Sequence, residues 1–184
     1  MVDNCNSSSG VGALVPFLGV NCSYDKARFV IIPVPYGETL TCRRGAERGP
    51  LALLSISPCI EEFDEVVELD ISGEGLIHTL PILDVPPAVE DMVDVVHKRV
   101  KEVLDDGKLP VMIGGEHSVS IGAFLALSGR EITIVQIDAH SDLRDEYEGS
   151  MFNHACVMAR ARELFPCVQV GVRSMSRREF ERIK

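Results

Sequence analysis

The chain has 184 residues, 46% of them apolar and 25% charged, as in a single soluble globular domain, and without Trp its core must rest on Val, Ile, Leu, Ala and Met. A net charge of −10 argues against nucleic acid and against an anionic membrane surface as partners, because both need a basic face; it suits a cationic ligand or metal ions. No basic segment precedes the short stretch Val11–Val20, which Gly12, Pro16 and Gly19 interrupt, so neither a secretory leader nor a membrane span is expected and the chain reads as cytoplasmic.

Residues 1–26 read as an irregular lead-in to a domain over 27–184. Phe29–Val34 (FVIIPV) is a continuous β-branched run stopped by Pro35 and Gly37, the pattern of a strand buried on both faces. A loop follows, and Gly49–Pro50 opens a helix over Leu51–Ile56, with Pro50 suited to the first turn. Val66–Leu69 reads as a second strand, and 72–88, rich in Gly and Pro, as loop. Between Pro87 and Asp105, Val89, Met92, Val93, Val96, Val100, Val103 and Leu104 recur at helical spacing, and Asp106–Gly107 closes that helix. Pro110–Ile113 is the next strand, Ser118–Leu127 a helix, and Glu131–Ile137 (EITIVQI) another strand buried on both faces. A helix over 153–164, a strand over Val168–Val172 and a helix start over Ser176–Lys184 complete the chain. Apolar strands alternating with helices imply parallel β-α-β units in a three-layer αβα domain with a mainly parallel sheet, and such sheets bind ligands beyond the carboxyl ends of their strands.

Two motifs stand at those ends. In Gly114-Gly115-Glu116-His117-Ser118 the glycines turn the backbone sharply off the strand and leave His117 between strand and helix. In Asp138-Ala139-His140-Ser141-Asp142, alternate side chains of an extended chain share one side, so Asp138, His140 and Asp142 can converge. Two carboxylates beside an imidazole repel and desolvate poorly without a cation, which favours a metal site over a solvated polar loop. Mixed carboxylate and imidazole donors suit Mn, Fe, Co, Ni or Zn, with the oxygen majority leaning to Mn. His154 lies twelve residues beyond Asp142 and opens a helix, whereas His78 and His97 carry no such context. None of the six cysteines forms a C-x-x-C pair, so all are expected as reduced thiols rather than zinc ligands or disulfides.

With these motifs in place, the chain closely resembles the ureohydrolases, the arginase and agmatinase family. Gly114–Ser118 (GGEHS), Asp138–Asp142 (DAHSD) and Gly171–Ser174 (GVRS) carry the resemblance, with support from Ile31–Gly37 and Gly45–Pro50. It implies an arginase-like fold, two Mn²⁺ ions, and hydrolysis of a small cationic guanidino substrate to urea by a metal-bridging hydroxide. Carried over by position, His117 would bind one manganese and His140 the other, with Asp138 and Asp142 also as ligands, one of them bridging. His154 matches the family's proton-shuttling histidine, so His154 and Asp142 are the expected catalytic pair. Arg144 stands where arginases place an Asn, followed in them by a Ser-rich stretch that holds the amino-acid carboxylate, so agmatine, giving putrescine and urea, fits better than arginine. Relatives commonly assemble as trimers or hexamers, and a homo-oligomer is expected.

The chain also departs from the pattern. The family's later aspartate pair, on a strand beyond Gly171–Ser174, does not occur before Lys184, and neither does an acidic substrate contact from the C-terminal third. The expectation is a truncated family member: C-terminal strands missing, an open sheet edge, and weak or mononuclear metal binding. Thr41-Cys42-Arg43-Arg44 replaces a segment where relatives often carry an aromatic residue and a proline. The alternatives within the family are arginase, guanidinobutyrase or formiminoglutamase specificity; outside catalysis, the alternative is a metal-binding truncated homologue.

Overall fold

The computed structural model describes residues 14–184. The chain divides into two compact units. The first takes the described residues up to Pro35, Gly45–Asp84 and Glu102–Gly115; the second takes Tyr36–Arg44, Val85–Lys101 and Glu116–Lys184. Of the expected lead-in, residues 1–13 lie outside the described residues, and the rest holds two single 3₁₀ turns, Phe17–Gly19 and Tyr24–Lys26.

The first unit is built on β1 (Phe29–Val34), the middle strand of a three-stranded parallel sheet between β4 (Ile77–Thr79) and β5 (Leu109–Gly114). Every residue of β1 after Phe29 is buried, as its unbroken apolar run requires. Ile31, Ile77, Leu54 and Leu18 form the core, with Phe17, Phe29 and Ile113 against it. Each such side chain contributes roughly 1.5–3 kcal/mol on burial. Leu54 comes from α1 (Gly49–Ile56), where Pro50 occupies the first turn as expected.

Two readings of this unit change. Strand β4 falls in the stretch read as loop, and it forms because its three residues pair with Phe29–Ile31. Val66 and Val67 do not lie in a strand but in the turn of a short antiparallel hairpin, β2 (Phe63–Asp64) with β3 (Leu69–Asp70). The Asp64 carboxylate accepts from Val66 N at 2.9 Å and Val67 N at 3.1 Å, and Glu68 adopts a left-handed φ of 55°. That local turn outcompetes the β preference of the valines.

The second unit holds most of α2 (Val89–Asp105), then α3 (Val119–Leu127), α4 (Val157–Leu164) and α5 (Arg177–Ile183). Its parallel pair of strands is β6 (Ile134–Ile137) and β7 (Cys167–Val170). The expected α2 stripe is buried from Val89 through Val103, and a left-handed Gly107 follows the helix. Helix α3 approaches α2 so closely at Gly122 that a Cβ there would lie 2.7 Å from both Val93 O and Val96 Cβ. Glu131–Ile137 was expected as a strand buried on both faces. The strand begins only at Ile134, and Val135 and Ile137 are 60% and 83% exposed. Among the described residues β6 has one strand partner, and its cover lies on the side of Ile134 and Gln136, where Leu143, Met158 and Ala161 pack.

Reduced thiols were expected throughout, and Cys22, Cys42, Cys156 and Cys167 are free. Cys59 is disulfide-bonded instead. Chain size and spacing set the expectation, but bonding depends on two thiols meeting in space. Burial pushes the Cys156 thiol up to about 11, which leaves it unreactive. Among the described residues no helix is long and apolar enough to cross a membrane.

Candidate metal centre

The centre lies wholly in the second unit. His117 follows the glycine turn after β5, and Asp138 follows the last residue of β6. Asp142 ends the same loop at a left-handed φ of 49°, a conformation that Asp and Asn tolerate better than other side-chain-bearing residues. His117, Asp138 and Asp142 bring one donor atom each to within 4.8 Å of one another. His117 Nδ1 stands 3.0 Å from Asp142 Oδ2 and 3.7 Å from Asp138 Oδ2.

His140 is not part of this cluster. The alternation expected of an extended chain stops at the end of β6, where His140 N donates to Asp138 Oδ1 at 2.8 Å and turns the backbone. The exposed His140 ring instead places Nδ1 3.2 Å from Asp138 Oδ1. Asp138 thus has an imidazole against each oxygen, His117 on one side and His140 on the other. Burial alone would raise its carboxyl pKa. The His140 backbone N–H and the two imidazoles outweigh burial and hold the carboxyl below its usual range.

The residues around the centre orient it, and three of them, Gln136, Gln169 and Glu179, belong to none of the sequence motifs. Gln136 Nε2 donates to Asp142 Oδ2 at 3.0 Å. Gln169, its register partner on β7, donates to Gln136 Oε1 and to Ser141 O. The available signal was a glutamine inside each of two otherwise apolar strands, IVQI and CVQV. The GVRS segment runs beside the loop: Arg173 N and Ser174 N both donate to Ala139 O, and Ser141 N donates to Ser174 O. Gly171 has a left-handed φ of 85°, which a side chain would strain, although a Cβ there would only touch Asp138 O at 3.4 Å. The 5%-exposed carboxylate of Glu179 accepts from Ser141 Oγ (2.7 Å), Leu143 N (3.0 Å) and Ser176 N (2.8 Å). Burial opposes that charge, but these bonds prevail and hold its pKa below the ordinary value.

A cavity of about 370 Å³ opens beside the loop, lined among others by His140, Asp142, Arg144, Tyr147, His154 and Glu179. His154 and Asp142 both line it. The His154 ring stands edge-on to Tyr147, with Thr41 Oγ1 3.2 Å from Nε2. The Arg144 guanidinium lies over the Tyr147 ring and 3.8 Å from Glu179 Oε2, so its charge is already engaged. His78 lies in the first unit, with Nδ1 2.8 Å from Cys22 O and its ring against Tyr24.

The donor set fits a divalent cation. Two carboxylates and an imidazole converge, and the repulsion between the carboxylates is what such an ion removes. His140 with the outer oxygen of Asp138 offers two further donors.

The arginase family model matches residues 27–184. An N(1)-aminopropylagmatine ureohydrolase of Synechocystis sp. is 36% identical over 176 residues, covering 88% of this chain and 56% of that protein. The agmatinase of Pyrococcus horikoshii is 35% identical over 161 residues, covering 83% and 54%. The agmatine ureohydrolase of Thermoplasma volcanium superposes with a TM-score of 0.85 at 34% identity, over 93% of this chain and 59% of that one. The likeness carries the α/β fold with mainly parallel strands that the sequence implied. The chain spans about half the length of the curated relatives it matches.

Proposed function

The chain belongs to the arginase family, and from that premise we propose that it serves the hydrolysis of a small cationic guanidino substrate, agmatine first, to urea and putrescine. The observation that carries this reading is Asp142, which belongs both to the His117–Asp138–Asp142 cluster and to the cavity lined by His154. His117, Asp138 and Asp142 would hold one divalent cation, Mn²⁺ by their oxygen majority, and His140 with the outer Asp138 oxygen would serve a second. The metal lowers the pKa of water and so supplies a nucleophile at neutral pH. In that role Asp142 would orient the attacking water toward the guanidinium carbon, and His154, on the same cavity, would carry a proton to the departing amine. With Arg144 held by Glu179 and Tyr147, the cavity offers no free Arg or Lys among the described residues to pair with an α-carboxylate, which favours agmatine over arginine.

N(1)-aminopropylagmatine is a second substrate, favoured by the name of the Synechocystis relative. Either product would feed polyamine synthesis, a cytoplasmic task, and assembly into a homo-oligomer fits the family. The test is urea release, with manganese, from agmatine, N(1)-aminopropylagmatine, arginine and guanidinobutyrate. The expected order puts the two carboxylate-free agmatine compounds first. Urea from arginine alone would overturn the specificity, and urea from none would overturn the activity in favour of a metal-binding homologue without catalysis.

A further inference from the structure

We infer that Thr39, held by the buried carboxylate of Glu116, fixes the neutral His154 ring as its Nδ1–H tautomer and so leaves the Nε2 lone pair facing the cavity. This deepens the proton-transfer role proposed for His154, and it rests on that reading only for its catalytic consequence.

The inference comes from counting protons and lone pairs. Glu116 is 5% exposed, and three donors converge on its carboxylate: Thr39 N at 2.9 Å, the Thr39 hydroxyl, and the Ser118 hydroxyl at 2.5 Å. A carboxylate accepts only, so the single hydroxyl proton of Thr39 is committed to Glu116. Thr39 Oγ1 keeps two lone pairs. One accepts from His154 N at 3.2 Å. The other faces His154 Nδ1 at 3.4 Å and, with no proton left to give, can only accept. The hydrogen must therefore sit on Nδ1. A neutral imidazole with Nδ1–H has its lone pair on Nε2, which faces the Thr41 hydroxyl at 3.2 Å, and both His154 and Thr41 line the cavity. The chain carboxylate–hydroxyl–imidazole has the logic of a base oriented by a second group that a third group orients.

Thr39 and Glu116 are thus positioning residues, and neither needs to touch substrate. When Nε2 takes a proton, the charge spreads to an Nδ1–H whose hydroxyl partner already points its own proton at a buried anion. Glu116 would then serve a purpose distinct from that of its neighbour His117, although both belong to one five-residue motif.

The test reads the tautomer directly. In ¹⁵N-edited NMR of the chain, well above the ordinary imidazole pKa of about 6.5, His154 is assigned by its loss in His154→Gln. The expected spectrum shows a protonated, pyrrole-type Nδ1 and a pyridine-type Nε2. Thr39→Val should lose that preference, and Thr39→Ser, which keeps the hydroxyl, should restore it. A wild-type His154 in the Nε2–H form overturns the inference without recourse to any variant. So does a folded Thr39→Val protein with an unchanged tautomer. Urea release is read separately: the expected tautomer without urea retains the inference and removes the function, and urea with the wrong tautomer does the reverse.

Discussion

Glu179 is predicted to set the stability of the metal-binding loop. Its carboxylate, almost fully buried, accepts from Ser141 Oγ and Leu143 N through one oxygen and from Ser176 N through the other. A hydrogen bond to a charged group contributes about 1.5–3 kcal/mol, and a buried donor left unpaired costs about 1–3 kcal/mol. Glu179→Ala orphans the buried Ser141 hydroxyl and Leu143 N–H and removes the capping box of α5. Because the three bonds are coupled they do not sum fully, and the loss should be on the order of 3–5 kcal/mol. Glu179→Gln keeps one acceptor oxygen for Ser141 and Leu143 but sets an NH₂ against Ser176 N. It should therefore lose the Ser176 N–H half of the capping box and the pairing with Arg144, about 1–2 kcal/mol. Urea unfolding gives both magnitudes, and amide exchange at Leu143 gives the local one. Equal losses in the two variants, or full protection of Leu143 N–H in Glu179→Ala, would refute the reasoning.

Acidification should expose the same group. The folded pKa of Glu179 lies below its ordinary 4.5, and that of Asp138 below its ordinary 3.8. Both contribute stability that is fully present above those ordinary values and is lost as pH falls through the lower folded ones. Stability measured from pH 6 downward (~pH 6 to ~pH 3) should fall more steeply in the wild type than in Glu179→Gln; parallel curves would count against it. Gly122→Ala should destabilise by about 1–3 kcal/mol despite alanine's better helix propensity, because its methyl meets Val93 O and Val96 at 2.7 Å. A raised urea midpoint would contradict that packing. Gln136→Leu should weaken manganese binding by roughly 10–100-fold by freeing Asp142 Oδ2 from its second partner. Asp142→Asn, which tolerates the same left-handed backbone, should weaken it further with the fold retained. Titration followed by manganese EPR would distinguish these from variants with unchanged affinity.

Much of this protein was legible in the order of its residues. The run FVIIPV predicts β1 residue for residue, and the valines of α2 predict its buried face, because burial on both faces or along one stripe forces a periodic apolar pattern. GGEHS and DAHSD mark the three residues that converge as candidate donors, His117, Asp138 and Asp142, because chemistry of that kind needs particular side chains at a strand end. Elsewhere the outcome depended on partners remote in sequence. Three residues became β4 only by pairing with β1, and two valines became a turn because Asp64 captured their amides. His140 left the cluster when its own N–H closed on Asp138, which no alternation rule anticipates. Gln136, Gln169, Glu179 and the Thr39–Glu116 pair gained their roles through hydrogen bonds, several of them spanning 33 to 77 positions of chain. Local pattern records what a segment needs to bury. Which buried polar group satisfies which other is settled only when distant segments meet, and in this protein that meeting orients the centre.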